Sequence, residues 1–334
     1  MPPVDRRRTP APGAAGTSRA PEAVVVVNAR SRRGAALHDR IAPALAARGV
    51  RVLDVHVVHD PGAELPDLLP RVLAAEPEML VVGSGDGTLA AVVDHLAGRR
   101  TVLGYLPLGT TNNTGRSLGL PLRLGAALDV VAHGRTVSVD LGRANDDWFA
   151  NLVSVGLSSE VAGRTPHLLK RRLGRAAYAL TAARALVTHR PFEAEVTVDG
   201  RTWHVRTHQL NVANGRVHAG TAIAADAGID DRLLVAYALG GAHPASVMAA
   251  AVHQATTPWR PLGHKGYVTG TEIRVVTDRV LRLDVDGELT GRVGPDEPLV
   301  VQVDAGALRV RVPHAFVPRD PLAAERPAPA PSPR

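Results

Sequence analysis

The sequence predicts two architectures in one chain, α/β then all-β: an N-terminal doubly wound α/β domain followed by a β-sandwich domain. Three observations carry this reading. Valine-rich runs alternate with helical patterns from residue 23 to about 140, and period-two alternation takes over after Thr136. Turns rich in Gly, Thr and Asn follow the ends of the early strands.

Taken in order, residues 24–27 read as a buried strand, 35–48 as a helix, 52–58 as a strand, 65–75 as a helix and 79–82 as a strand. The next helix, 88–97, places Leu89, Val92, Val93 and Leu96 at i, i+3, i+4 and i+7, a single apolar stripe. A strand at 102–106 follows. Buried strands that alternate with helices predict a parallel sheet covered on both faces. Beyond that point, strands are expected at 192–198, 202–212, 233–238, 272–277, 280–285 and 308–312, where alternating side chains suit a sandwich. The expected division is a disordered tail at 1–22, the α/β domain at 23–140, the sandwich at 141–318 with its last segment free to return to the first domain, and a second tail at 319–334.

Composition narrows the chemistry. The 334 residues include no Cys, which removes disulfides, thiolate catalysis and thiolate metal sites and makes the cytoplasm the expected compartment. The first twenty residues hold no apolar run of the kind a secretory signal needs. Between 233 and 259 there is no charged residue, yet Gly240, Gly241, His243, Pro244 and His253 interrupt the apolar runs, so a strand and a buried helix are expected rather than a membrane span. A net charge of +7 attracts anions, while only 3% aromatic residues argue against base stacking on single strands, and no nucleic-acid partner is expected. A helical segment at 166–188 collects Lys170, Arg171, Arg172 and Arg175 without acids. It reads as a solvated helix face or as a patch for a membrane surface.

Four stretches carry the chemistry. In Gly83-Ser84-Gly85-Asp86-Gly87-Thr88 a Gly-rich turn leaves a buried strand and opens a helix, which lets backbone amides approach phosphate oxygens. It fits neither the dinucleotide nor the Walker A spacing, and it puts a carboxylate, Asp86, where a metal ion or a ribose would have to meet it. Taken alone, it is equally a tight turn with Asp86 in the first helical turn. Pro107-Leu108-Gly109-Thr110-Thr111-Asn112-Asn113 follows the next strand, so both loops belong to the carboxyl edge of the sheet. Thr110, Asn112 and Asn113 suit phosphate or ribose, and suit Asx turns and caps as well. The acidic loop Asp226-Ala227-Gly228-Ile229-Asp230-Asp231 offers hard oxygen donors of the kind Mg²⁺ takes. The fourth stretch, Asp284-Val285-Asp286-Gly287-Glu288, is a hairpin turn followed by a carboxylate.

Together and in this order these stretches resemble the diacylglycerol kinase catalytic-domain family, which includes bacterial lipid kinases and sphingosine kinases and is related more distantly to NAD kinases. The likeness covers about residues 23–318. It adds Asn28-Ala29-Arg30-Ser31 as the family's opening motif, with Gly34 displaced; Phe149-Ala150-Asn151 with Gly156; and the Asn-Gly turn at 211–215. The resemblance implies an ATP-dependent kinase that phosphorylates a lipid hydroxyl, with diacylglycerol the leading acceptor and ATP and Mg²⁺ as cofactors. It implies Glu288 as proton acceptor with Asp86 beside it. It also implies a nucleotide site of Asn28, Ser31, His59, Ser84, Gly85, Asp86, Gly87, Thr88, Thr110, Asn112 and Asn113. By the same likeness a structural Mg²⁺ falls on Asp231, Gly228, Leu233 and Asp230. A lipid at a membrane surface is the implied partner, peripheral attachment to the inner membrane face is consistent with it, and homodimerisation is left open.

Departures from the family pattern are Ser84 for the first loop Gly, Asn113 for Asp, His59 for Thr and Arg232 for a Gly. The last replaces a residue expected at positive φ. Other readings are a sphingoid-lipid kinase, an NAD kinase-like enzyme, which should carry an Asn-Glu pair where Asn112-Asn113 stands, and a catalytically idle nucleotide or lipid sensor.

Overall fold

The structure is a computed structural model, and it describes residues 20–159, 189–215, 217–218, 221–222, 227–239 and 267–319. Both expected tails up to 19 and from 320, the basic helix at 166–188, Asp226 and residues 240–259 lie outside the described residues.

The first half alternates as expected: β1 (Glu22–Asn28), α1 (Gly34–Ala46), β2 (Arg51–Val58), α2 (Pro61–Ala74), β3 (Met79–Ser84), α3 (Asp86–Leu96) and β4 (Val102–Pro107). A short helix α4 (Asn113–Ser117) and α5 (Leu124–His133) lead into β5 (Arg135–Ala144), β6 (Asp147–Phe149) and β7 (Leu152–Gly156). The remaining strands are β8 (Phe192–Val198), β9 (Arg201–Thr207), β10 (Gln209–Asn214), β11 (Val217–His218), β12 (Thr221–Ala222), β13 (Leu234–Leu239), β14 (Tyr267–Gly270), β15 (Glu272–Thr277), β16 (Leu281–Val285), β17 (Glu288–Val293) and β18 (Leu299–Val312).

The valine run of β1 explains the double winding. Successive side chains leave opposite faces, so Val24 and Val26 join Leu65, Leu69, Leu89 and Val93 under α2 and α3. Val25 and Val27 instead join Ile41, Leu45, Leu128 and Val131 under α1 and α5. Strands β2, β1, β3 and β4 pair in parallel in that spatial order. Asn28, Ser84 and Pro107 therefore end at one edge of the sheet.

That sheet continues past the α/β portion. β18 pairs in parallel with β4 at Val310 and Leu103, antiparallel with β5 along most of its length, and antiparallel with β15, beyond which lie β8 and β9. The second sheet has the order β14-β13-β10-β7-β16-β17. It closes a sandwich: Val153, Val155, Leu210, Val212, Leu283 and Val285 bury against Ala194, Val196, Ile273, Val275 and Val301 of the large sheet. The large sheet thus serves both halves, which the alternation pattern alone does not reveal.

Two expected elements need correction. The strand expected at 202–212 is two strands in different sheets, β9 and β10. The chain changes sheet at His208, beside Thr207, whose hydroxyl donates to the carbonyls of Gln209 and Leu239. The helix expected at 88–97 begins at Asp86, so that carboxylate lies in its first turn.

Between β5 and β6, a Cβ built on Gly142 would lie 2.0 Å from the Phe149 ring, which is wholly buried. Gly142→Ala is therefore expected to lower stability by about 1–3 kcal/mol through overpacking. Urea unfolding monitored by circular dichroism checks this, and an unchanged midpoint contradicts it.

Candidate functional site

Two loops meet at the carboxyl edge of β3 and β4. Their closest approach is backbone to backbone: a Cβ on Gly109 would lie 2.6 Å from the Gly85 Cα, and one on Gly85 would lie 3.2 Å from the Gly109 Cα. Glycine at both positions is therefore a packing requirement, since any side chain would hold the loops apart. The Leu108 amide donates to the Ser84 carbonyl at 2.8 Å, and the Tyr105 hydroxyl donates to the same oxygen at 3.2 Å. Asn112 closes its own loop, accepting from the Gly109 amide at 2.9 Å and donating to the Gly109 carbonyl, with φ at 49°. Its side chain thus reaches back three residues to hold the loop's own backbone rather than forming an Asx turn.

The opening motif docks on the first loop. Asn28 donates to the Thr88 hydroxyl at 2.7 Å, and its other side-chain atom accepts from the Arg30 amide. Ser31 donates to the Asn28 carbonyl at 2.8 Å. Gly34 is explained by the same turn, because a Cβ there would sit 1.9 Å from the Asn28 carbonyl oxygen. His59 lies on the neighbouring β2–α2 loop with its backbone held by Glu64 and Arg30. Thr110 and Gly87 are exposed, Asn113 opens α4, and the Ser84 hydroxyl turns onto the Gly85 carbonyl.

Asp86 faces the second loop. One carboxylate oxygen accepts the Thr111 hydroxyl at 2.9 Å, and the other is buried without a hydrogen-bond partner. Burial pushes this carboxyl up, opposed by the Thr111 hydroxyl and the nearby amides of Thr114, Asn113 and Asn112. An acceptor-only oxygen left over at the junction of two Gly-rich loops suits a metal ion or a nucleotide hydroxyl.

The hairpin β16–β17 reaches this junction through Asp286. Its carboxylate accepts the amides of Ala150 at 2.7 Å, Asn151 at 3.0 Å and Leu152 at 2.8 Å, and its own amide donates to the Leu152 carbonyl. Burial raises Asp286 to about 7, opposed by these three amides and reinforced by the charge of Asp86. Asn151 extends the link, since its side-chain oxygen accepts the Thr114 hydroxyl at 2.8 Å in the helix that follows the second loop. Glu288, exposed at the head of β17, stands near enough to Asp94 of α3 to contribute, after burial and Asp147, to raising that carboxyl to about 6. The turn residues Asp286 and Gly287 take φ of 50° and 95°.

The acidic loop forms a separate unit. Asp231 accepts the amides of Gly228 at 2.5 Å and Leu233 at 3.0 Å, and buried Asp230 accepts the Arg319 amide at 2.9 Å. Arg232 adopts φ of 62°, so the left-handed turn expected of Gly is kept by Arg, with its amide donating to Asp140 at 2.7 Å. Asp140, buried in β5, also accepts the Gly306 amide, and burial lifts it to about 6. No group of three metal-binding side chains gathers among the described residues. One carboxylate with neighbouring backbone carbonyls is nevertheless a donor set of the hard-oxygen kind that fits Mg²⁺, and each Asp231 oxygen keeps a free lone pair.

Residue-type reasoning passed over Thr111, Thr114, Asn151, Asp286 and Asp140 as site residues. Asp140 leaves a trace in the sequence, a lone acid in the apolar run 137–141. Asp286 is hidden by the ordinary look of its Asp-Gly turn.

Comparison with known proteins agrees with this layout. Residues 22–144 match the diacylglycerol kinase catalytic domain, and residues 151–312 match the YegS C-terminal NAD kinase beta sandwich-like domain. A probable YegS-like lipid kinase of Yersinia enterocolitica is 32% identical over 197 residues, 54% of this chain and 67% of that protein. A diacylglycerol kinase of Bacillus subtilis is 29% identical over 221 residues, 65% of this chain and 73% of that protein. With a probable YegS-like lipid kinase of Klebsiella pneumoniae, 31% identical over 187 residues, the aligned part is 54% of this chain and only 63% of the relative's length. A solved structure of a putative diacylglycerol kinase from Bacillus anthracis covers 90% of this chain and is itself covered in full, with a TM-score of 0.72 at 22% identity, a likeness of fold.

Two outcomes test this geometry. Gly109→Ala is expected to lower kcat/KM for the nucleotide by about tenfold to a hundredfold by parting the loops, with the fold intact by circular dichroism; unaltered turnover contradicts it. The second concerns pH. Asp140 and Asp286 sit above the usual Asp range, so the stability each contributes is complete below about pH 4 and is lost as pH rises through their folded values. Denaturant unfolding should show wild type losing stability relative to Asp286→Asn between about pH 4 and about pH 7. A constant difference across that range contradicts the assignment.

Proposed function

Because the chain belongs to the diacylglycerol kinase family of lipid kinases, we propose that it transfers the γ-phosphoryl group of ATP to a lipid hydroxyl, diacylglycerol being the acceptor that the family likeness favours. The observation that carries the reading is the convergence of three elements. The Gly85–Gly109 loop contact, the orphaned oxygen of Asp86 and the Asp286-anchored hairpin bearing Glu288 meet at one sheet edge.

In this reading the loop amides and the Thr88 and Thr110 hydroxyls hold the phosphates, and Asn28 and Ser31 brace the loop from beneath. Glu288, open to solvent at the head of β17, accepts the proton of the lipid hydroxyl as its oxygen bonds to the γ-phosphorus and the bond to the β-phosphate oxygen breaks, leaving ADP. Asp86 orients the nucleotide side of the site. Mg²⁺ arriving with the nucleotide would supply neutralisation of the phosphate charge. A second Mg²⁺ would be held by the Asp231 carboxylate with the carbonyls of Gly228 and Leu233, next to Asp230, where it would stiffen the loop. No helix among the described residues is long and apolar enough to cross a membrane. In this reading the enzyme meets its lipid substrate at a membrane surface.

A second reading, an NAD kinase-like enzyme, is favoured by the β-sandwich match alone. The test is labelled phosphate transfer from ATP into diacylglycerol, monoacylglycerol, sphingosine and ceramide micelles, with NAD as a soluble control. Label is expected in diacylglycerol and is expected to fall by about 10²–10⁴ in Glu288→Gln. Label confined to NAD overturns the proposal.

A further inference from the structure

The outer face of the β16–β17 hairpin works against its own charge. Arg282 and Arg292 are directly opposed in the antiparallel register, both are exposed, and neither is ion-paired among the described residues. Like charges in directly opposed positions repel one another. Of the acids on this strand and its approach, Asp278 is paired with Arg279, and Asp284 is buried with its carboxylate accepting the Gly287 amide.

Apolar side chains bracket the two cations on the same face. Leu281, Leu283 and Val285 turn into the sandwich core, so Val280 and Arg282 turn out. Leu289, opposed to Asp284, joins them on that face. Val280 is 57% exposed and Leu289 42%. β17 is the edge of its sheet, with no strand beyond it among the described residues. Exposed cations interleaved with exposed aliphatic groups are the pattern of a surface that rests at the headgroup and acyl boundary of an anionic bilayer.

We propose that this face seats the protein on an anionic lipid bilayer, with Arg282 and Arg292 against lipid phosphates and Val280 and Leu289 entering the acyl boundary. The inference deepens the lipid-kinase reading and rests on it for its purpose: the candidate proton acceptor Glu288 stands on the same hairpin, at the head of β17, so seating the hairpin on a bilayer holds the base close to the lipid surface. Occupation of the surface by lipid phosphates offsets the cross-strand repulsion.

The experiment is co-sedimentation of the full-length protein with vesicles of phosphatidylcholine and phosphatidylglycerol, two to one, and with phosphatidylcholine alone. Wild type is expected to favour the anionic vesicles, and added salt is expected to weaken that preference. The double variant Arg282→Gln, Arg292→Gln is expected to bind them at least about tenfold more weakly. A charge-matched control, Arg201→Gln with Arg274→Gln on exposed positions of the other sheet, should retain binding. Circular dichroism confirms the fold of each variant. Equal binding by wild type and the hairpin variant, or equal weakening by the control, overturns the proposal in favour of another basic segment or of net charge alone. Phosphorylation of detergent-dispersed lipid, measured on the same samples, separates the two claims. Hairpin-dependent binding without any lipid phosphorylation supports the docking face and counts against the kinase reading alone.

Discussion

The site depends on one carboxylate with three backbone donors. Asp286 takes the amides of Ala150, Asn151 and Leu152, the residues where the chain passes from the large sheet into the second one. A carboxylate accepting several amides is a strong and directional clamp. Burial opposes its charge, which is why Asp286 rests near neutrality rather than in the usual Asp range. The clamp sets where the hairpin turn lies, and with it the position of Glu288 two residues further on.

From that clamp the connection runs into the two Gly-containing loops. Asn151 receives the Thr114 hydroxyl, and Thr111, three residues earlier, donates to Asp86 at the head of α3. The Gly85–Gly109 contact then locks the two loops against each other. A chain of short polar contacts thus ties the proposed phosphate cradle to the proposed base across two sheets. Such preorganisation suits phosphoryl transfer, where positioning and electrostatics supply most of the catalysis. The shared large sheet makes this workable, because β18 lies between β4 and β15 and joins both halves.

Much of this was readable from local pattern. The alternation of Val24 to Val27, the stripe on α3 and the two Gly-containing loops are short-range signals, and the structure places each as expected. Long-range facts were not readable. That β18 pairs with β4 and that one strand at 202–212 divides at His208 follow from sheet closure, which leaves no mark in a window of a few residues. Within the site, residue type pointed to Thr110 and Asn113, but not to the contacts of Thr111 with Asp86 and of Thr114 with Asn151, because helix phase and loop closure decide which neighbours meet. Arg232 at φ of 62° shows tertiary contact overriding intrinsic preference, its amide held by Asp140.

The measurement that bears most directly on this account is a crystal structure with a non-hydrolysable ATP analogue and Mg²⁺. The account predicts the γ-phosphate at the Gly85–Gly109 junction, Asp86 released from Thr111 toward the nucleotide or its metal, and Glu288 facing the γ-phosphorus across an open acceptor space. A nucleotide bound away from this junction, or a Glu288 directed away from the phosphate with the Asp286 clamp intact, would contradict it.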